Sequence, residues 1–417
     1  MPPSSLRGFL AQCKSAFRDS ITKSNKLTLV IGNESADLDS LTSAVLWAYV
    51  RSHTAPKPTF SNPCIPVVNI PSKDLALRPE FSHLFDEAKV EADQLVTLSD
   101  IPLDGSEPRI APRNLKILLV DHNVLQGELG RVYGDCVRGI IDHHEDEGRH
   151  PQTHSGEEPR IIMKCGSCTS LVVEHVRDYW TGIQESSTSS REDSSAHVHL
   201  AKWCLASVLI DTVDLGEPNK VTTHDINAAE YLASIVRRCQ NPGFNQSMFY
   251  QAVKDAKGSL DGVSLQGILR KDYKEWADGG VKLGISSSVK PLGYLVDKAG
   301  RERGSGPPTD AFLDGMQAHA KEQNLDIAAV MTASVSDTGE FGRELLVWAF
   351  NQQGVDAFNR FAKSSRETLG LEPLPINDQL GLKADGSLQR VAWKQGAVQY
   401  SRKKVAPMMR QAAADKS

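Results

Sequence analysis

Short apolar runs, each followed by a segment with helical periodicity, recur through the first half of the chain. Residues 27–31, 116–120 and 137–141 are nearly continuous apolar stretches of the length expected for strands buried on both faces. Residues 160–164 form a fourth such run, and residues 40–50 place their apolar side chains on one helical face. Strands that alternate with helices predict an α/β fold built on a doubly wound, mainly parallel sheet.

The second half of the chain predicts a smaller α/β domain. The sequence Asn241-Pro-Gly-Phe244 interrupts the helical pattern that precedes it, and we place a domain boundary there. We therefore expect two domains, residues 1–240 and 241–417. Strand-like and helical segments follow one another in the second domain: 248–257, 281–287, 310–322, 327–334 and 343–350.

Four apolar segments of the first domain run directly into acidic residues. In an open parallel sheet, the carboxyl ends of the strands meet at one edge, so these acids are expected to lie together. Carboxylates that close repel one another unless cations compensate them. Taken singly, each acid could be an ordinary helix cap or turn residue, and the recurrence of the pattern favours a metal site. The residues are Asn33, Asp37, Asp39, Asp121, Asp142, His143, His144 and Asp211.

Composition excludes several classes of protein. The 417 residues carry 47 Lys and Arg against 52 Asp and Glu, and this balance disfavours non-specific nucleic-acid binding. No apolar stretch has the length of a membrane span, and seven scattered cysteines argue against a disulfide framework. We expect a monomer with neither a membrane nor a nucleic-acid partner. A cytoplasmic location is expected, with a mitochondrial one as the alternative suggested by the basic, acid-poor N-terminus.

The four acidic motifs resemble those of the DHH phosphoesterase superfamily. The motifs are Asn33-x-x-x-Asp37-x-Asp39, Asp121-His122-Asn123, Asp142-His143-His144 and Ile210-Asp211-Thr212. Their surroundings are most similar to the branch that contains fungal exopolyphosphatases and prune proteins. Near the C-terminus, residues 401–404 (SRKK) resemble the basic signature of the DHHA2 domain, as do residues 269–274 (LRKDYK). The resemblance implies an active site in the interdomain cleft.

The resemblance also implies a role for each motif residue. Two divalent metal ions (Mn, Mg or Co) would be held, with Asp121 bridging them, and inorganic polyphosphate would be hydrolysed from its ends to release orthophosphate. The implied metal-binding residues are Asn33, Asp37, Asp39, Asp121, His143 and Asp211. The implied catalytic residues are Asp121, Asp142 and His144, with Asp142 alternatively supporting His143. The implied phosphate-binding residues are His144, Lys274, Arg402 and Lys403, with Arg270 and Lys271 as further candidates.

One position departs from the pattern of the related family II pyrophosphatases, which carry a histidine where Asn33 stands. An amide oxygen is a harder ligand than imidazole, so the departure implies better use of Mg. It also favours polyphosphate over pyrophosphate as the substrate.

Alternatives remain open at this point. Cys165-Gly-Ser-Cys168 fits a C-x-x-C redox motif, although the same residues resemble the Gly-Ser-Thr turn of the DHH superfamily, at which a helix begins. On the same metal site, the chain could instead be a pyrophosphatase or a prune-like phosphodiesterase. From another class, it could be a catalytically degenerate regulatory binding protein.

Overall fold

The chain forms two units, Met1–Lys257 and Gly258–Ser417. The computed structural model describes residues 5–54, 63–103, 110–150, 158–186, 193–239, 243–260, 262–336, 338–378 and 389–415. Within these residues, no helix has the length and apolar character that crossing a membrane requires.

A six-stranded parallel sheet forms the centre of the first unit, in the order β3-β2-β1-β4-β5-β6. The apolar runs predicted as strands lie at its middle, because strands buried on both faces need apolar side chains throughout. The neighbouring strands β1 and β4 start connections that run to opposite sides of the strand order, which makes them the switch point of the sheet. The strands are β1 (Leu27–Ile31), β2 (Ile65–Val68), β3 (Val96–Thr97), β4 (Leu115–Val120), β5 (Val137–Asp142) and β6 (Arg160–Ile162).

Eight helices accompany this sheet within the described residues. Side chains of α2 and α6 belong to the same buried apolar core as strands β1, β4 and β5. The helices are α1 (Leu6–Lys23), α2 (Leu38–His53), α3 (Pro79–Ala88), α4 (Gly127–Tyr133), α5 (Cys168–Ser186), α6 (Asp193–Thr212), α7 (Thr223–Cys239) and α8 (Gln246–Gly258).

Helix α8 places the division of the chain later than the boundary predicted after residue 240. Val253 is buried in the apolar core of the first unit, and Phe249 packs against the same core. At the start of the helix, Gln246 and Ser247 donate hydrogen bonds to the carboxylate of Asp214 at 3.0 and 2.8 Å. The helix therefore belongs with the first unit, and the predicted boundary is corrected to Lys257.

The second unit contains a mixed sheet in the order β13-β14-β12-β9-β8-β7, in which only β8 and β9 pair in parallel. This confirms the predicted α/β class. Its helices are α9 (Leu265–Lys271), α10 (Leu292–Arg303), α11 (Pro308–Glu322), α12 (Gln352–Leu369) and α13 (Arg402–Ala414). Its strands are β7 (Tyr273–Asp278), β8 (Val281–Ser288), β9 (Ile327–Thr332), β10 (Ser334–Val335), β11 (Phe341–Gly342), β12 (Glu344–Ala349), β13 (Leu371–Pro373) and β14 (Arg390–Gln395).

Candidate active site

The carboxyl edge of the first sheet contains a cavity of about 320 Å³ lined by acids and histidines. Its volume lies at the lower end of the range usual for small-molecule sites. The cavity brings together every predicted metal-binding residue and one predicted phosphate contact: Asn33, Asp37, Asp39, Asp121, His143, Asp211 and His144. It is also lined by Cys165 and Gly166 of the predicted turn, and by three residues that the sequence did not single out: Lys164, Asn219 and Lys220.

Asp121 follows β4 and lies at the centre of this cluster. Its Oδ1 is 3.2 Å from Nε2 of His143. Its Oδ2 accepts hydrogen bonds from Ser40 Oγ and Asn33 Nδ2, each at 2.8 Å. The backbone of Asp121 is left-handed, with φ of 63°. Strained backbone of this kind is typical of functional sites, where the surrounding structure holds a side chain in one direction.

The ring of His143 is fixed by a backbone carbonyl. Its Nδ1 lies 3.0 Å from the carbonyl oxygen of Cys165, so this nitrogen carries the proton in the neutral ring. Nε2 faces Asp121 Oδ1, with Asp39 Oδ2 at 3.8 Å, and in the neutral ring this nitrogen would be available to ligate a cation. A neutral imidazole oriented in this way by a second contact is the usual form of a metal-binding histidine.

Asp142 ends β5 and is fully buried. Its Oδ1 accepts hydrogen bonds from the backbone N–H groups of His143 and His144, and lies 2.9 Å from Nδ1 of the His144 ring. Its Oδ2 accepts a hydrogen bond from Asn123. The fully buried carboxylate of Asp142 therefore positions the ring of His144, and the catalytic role predicted for Asp142 stays a prediction.

The two acids at the start of α2 are held in different ways. Asp37 caps the helix, since its Oδ1 accepts from the N–H groups of Asp39 and Ser40. Asp39 is buried and accepts hydrogen bonds at both oxygens from the beginning of α5, including the N–H groups of Cys168 and Thr169. The helix-cap interpretation of Asp37 is therefore correct, and it is compatible with a place in the cluster.

The acids of the cavity perturb one another. Burial and the nearby charge of Asp39 raise the pKa of Asp121 to about 7. Burial, with Asp39 and Asp37 nearby, raises the pKa of Asp211 well above its usual range. Burial alone would lower the pKa of His143, but the contact with Asp121 and the charge of Asp39 raise it to about 10. The carboxylates of the cavity therefore hold protons more tightly than usual, and added positive charge would stabilise them.

The donor set fits divalent metal ions. One ligand atom from each of Asp121, His143 and His144 lies within 4.8 Å of the others. In addition, Oδ2 of Asp211 is buried and has no hydrogen-bond partner among the described residues. A buried carboxylate oxygen without a partner is costly, and a cation bound beside it would remove that cost. Carboxylate and imidazole ligands together suit first-row transition metals and Mg.

Two family descriptions match the chain. "DHH family, N-terminal domain" matches residues 28–210, and "DHHA2 domain" matches residues 251–412. The "Putative exopolyphosphatase" of Schizosaccharomyces pombe is 32% identical over 93% of this chain and 91% of its own length. The chain belongs to the DHH family. Among other relatives of this DHH protein, Exopolyphosphatase PRUNE1 of Mus musculus is 25% identical over 98% of the chain and 79% of its own length. A manganese-dependent inorganic pyrophosphatase of Methanothrix thermoacetophila is 22% identical, with 73% and 81% covered.

Asn33 of this DHH protein is oriented differently from the predicted metal ligand. Its amide oxygen accepts hydrogen bonds from the N–H groups of Ser35 and Ala36 at 2.8 and 3.2 Å. These contacts turn the amide NH₂ group toward Asp121, to which it donates. An NH₂ group cannot ligate a cation, so in this orientation Asn33 positions Asp121, and the ligand role of Asn33 stays a prediction.

The backbone is also left-handed directly before one other acid of the DHH site and shortly after another. Ala36, with φ of 45°, directly precedes Asp37. Val213, Asp214 and Leu215 follow Asp211-Thr212 and have φ between 55° and 60°. Such a conformation costs a non-glycine residue roughly 1–2 kcal/mol. These three residues precede the segment that contributes Asn219 and Lys220 to the lining of the cavity.

The basic residues predicted to bind phosphate lie in the DHHA2 unit. Arg402 begins α13 and is ion-paired with Asp272, and its Nη1 donates to the Asp272 carbonyl oxygen at 2.8 Å. This pairing brings residues 402–403 next to residues 270–274, so the two predicted basic segments are neighbours. Lys274 and Lys403 are exposed, Lys271 is half-buried, and Arg270 Nη1 lies 3.7 Å from Glu322 Oε1. Phosphate binding by these residues stays a prediction.

The C-x-x-C sequence does not have the properties of a redox centre in this DHH unit. Burial raises the pKa of the Cys165 thiol to about 12, and that of Cys168 well above its usual range. Both thiols are buried, whereas reactive cysteines are partly exposed and have lowered pKa values. The residues instead form the turn at which α5 begins, as the alternative interpretation predicted.

Proposed function

We propose that this protein is an exopolyphosphatase that hydrolyses inorganic polyphosphate from its ends and releases orthophosphate. The observation that carries the proposal is the complete cluster of Asp37, Asp39, Asp121, His143 and Asp211 in one cavity. A degenerate binding protein would not need to keep buried carboxylates that repel one another. The relatives in the yeast and the mouse, both named as exopolyphosphatases, support polyphosphate as the substrate.

The residues of the cluster would hold two divalent ions, for which we propose Mn, Mg or Co. Asp121 would contribute to both sites, with Asp37 at one and Asp39, His143 and Asp211 at the other. Divalent ions in such a site polarise phosphate oxygens and make water acidic enough to act as a nucleophile near neutral pH. The protein's contribution is to hold the carboxylates in place before the substrate arrives, so little reorganisation is needed during reaction.

His144 is the side chain best placed to handle a proton. Its hydrogen bond to Asp142 raises its pKa, and just over half of its side chain is exposed. With Nδ1 directed at Asp142, Nε2 is the nitrogen left to donate a hydrogen bond to a phosphate oxygen. The same nitrogen can give its proton to the departing phosphate chain as general acid.

The decisive experiment measures orthophosphate release from polyphosphate and from pyrophosphate in the presence of Mn²⁺, Mg²⁺ or Co²⁺. We expect polyphosphate to be the better substrate and Asp121→Ala to abolish turnover, because the substitution removes the carboxylate at the centre of the cluster. Preferential release from pyrophosphate would replace the proposal with a pyrophosphatase. Near-normal activity of metal-saturated Asp121→Ala protein, with unchanged thermal unfolding, would refute the assignment of this cluster as the reaction centre.

A further inference from the structure

The acidic cavity is also lined by two lysines that do not belong to the motifs of the family. Lys164 follows β6, and Lys220 lies in the turn between α6 and α7. Both side chains are exposed, and neither forms an ion pair with any residue that the structure describes. The cavity therefore presents two uncommitted ammonium groups beside its carboxylates.

This arrangement is unexpected for charges that serve only the fold. Four carboxylates line the same cavity, and an exposed lysine without an ion-pair partner contributes little to the stability of a fold. Divalent ions bound by the acids would satisfy those carboxylates and leave the lysines to a ligand. Such a ligand would be anionic and would bind in the same cavity as the acids. A chain of phosphates has both properties.

A single buried side chain ties together the segments that carry the two lysines. The carboxylate of Asp225 is fully buried and accepts hydrogen bonds from the backbone N–H groups of Gly166 at 3.0 Å and of Thr222 at 2.8 Å. Gly166 lies two residues after Lys164, and Thr222 lies two residues after Lys220.

The contact between these segments is close. A Cβ atom at Gly166 would lie only 2.9 Å from Asp225 Oδ2, so the approach requires glycine. The spacing of the two lysine-bearing segments is therefore built into the core of the unit rather than left to a loose loop.

We propose that Lys164 and Lys220 form a subsite for the phosphates that follow the terminal one, and that this subsite favours long chains over pyrophosphate. The inference rests on the exopolyphosphatase activity proposed above. Each internal phosphate carries a negative charge that an ammonium group can neutralise. Lysine is a compact charge with three donors, so it can follow successive phosphates without demanding one fixed geometry.

The test compares Lys164→Met, Lys220→Met and the double variant with the wild-type protein on pyrophosphate, tripolyphosphate and long polyphosphate. Lys89→Met is the matched control, since Lys89 is an exposed lysine of the same unit outside the cavity. We expect each cavity substitution to raise KM for long polyphosphate by about tenfold, the usual order for one charge-assisted contact, with kcat little changed. KM for pyrophosphate should change much less, and Lys→Arg at both positions should restore KM.

The outcomes separate the subsite from the activity. If wild-type protein releases no orthophosphate from polyphosphate with any of the three ions, the proposed function fails. If wild-type protein is active and the folded double variant keeps the wild-type KM for long chains, the subsite is wrong. An equal rise of KM for pyrophosphate and long polyphosphate would also overturn it, because the lysines would then contact a phosphate common to both substrates.

Discussion

Replacement of Asp225 by asparagine should destabilise the first unit strongly, although this residue touches no acid of the cluster. Its two carboxylate oxygens accept from Gly166 N, Ser167 N, Ser170 Oγ, Thr222 N, Thr222 Oγ1 and Cys165 Sγ, at 2.8 to 3.1 Å. An amide keeps the volume of the side chain and turns one acceptor into a donor.

The loss of unfolding free energy depends on which hydrogen-bond donors around Asp225 can rotate to accept from the new NH₂ group. If the new NH₂ group replaces Oδ1, the hydroxyl of Ser170 and the thiol of Cys165 can rotate and accept, but the N–H of Ser167 is left without an acceptor. The alternative orientation would leave two backbone N–H groups unpaired. One buried unpaired N–H and the loss of the charge in the remaining bonds together correspond to about 3 kcal/mol of unfolding free energy.

The assay is urea unfolding at neutral pH with EDTA, followed by circular dichroism. With a slope of roughly 2 kcal/mol per molar urea, the midpoint of the first unit should fall by roughly 1.5 M. Asp178→Asn is the control, because Asp178 is an exposed acid on α5, the helix that Asp225 helps to position. A loss below about 1 kcal/mol in Asp225→Asn would refute the reasoning, since every donor would then have found another acceptor.

The stability that Asp225 contributes should depend on pH. Burial would raise the pKa of Asp225, but hydrogen bonds from Thr222, Ser170 and Cys165 lower it overall. A carboxyl group with a lowered pKa in the folded protein stabilises it above the unfolded pKa of about 4, and this contribution is lost as the pH falls. The difference between wild type and Asp225→Asn should therefore shrink in acid.

Two further predictions concern the metal-free protein. The pKa values of Asp121 and His143 are raised to about 7 and about 10, so both groups bind protons more tightly when folded. Their contribution to stability is greatest at low pH and is lost as the pH rises. The unfolding temperature in EDTA should therefore fall between about pH 6 and pH 9, and addition of Mn²⁺ should raise it. An unfolding temperature that does not change with pH would contradict this. Cys165 and Cys168 should resist a thiol reagent in the native protein and react in urea, because the thiolate is the reactive form; rapid native labelling of either residue would contradict the burial.

The central part of the fold could be predicted because its signals are local. β1, β4 and β5 agree with the apolar runs to within a residue or two, since a strand buried on both faces must be apolar throughout. β2 is only four residues long and follows a proline-rich stretch, so its apolar run does not stand out from the surrounding sequence. The sequence analysis does not include α12, although its apolar residues Val355, Phe358, Phe361 and Leu369 recur at helical spacing and are buried in the core of the second unit.

The candidate site shows the same division. Asp121 and Asp211 could be predicted because each directly follows an apolar segment. Lys164, Lys220 and Asp225 could not, because their roles depend on contacts between segments more than fifty residues apart in the chain. The orientation of Asn33 was beyond prediction for a similar reason, since the Asp121 carboxylate that it meets is contributed by another strand.

The placement of α8 decides where this protein can be cut. A fragment ending at residue 240 would keep every acid of the cluster and lose the helix whose first turn binds Asp214. Asp214 belongs to the left-handed turn that directly follows Asp211-Thr212, so the loss would loosen one side of the cavity while its motifs remained complete. A fragment extended to Lys257 keeps the hydrogen bonds to Asp214, so α8, which contains none of the acidic motifs, is needed to hold the turn beside the cavity.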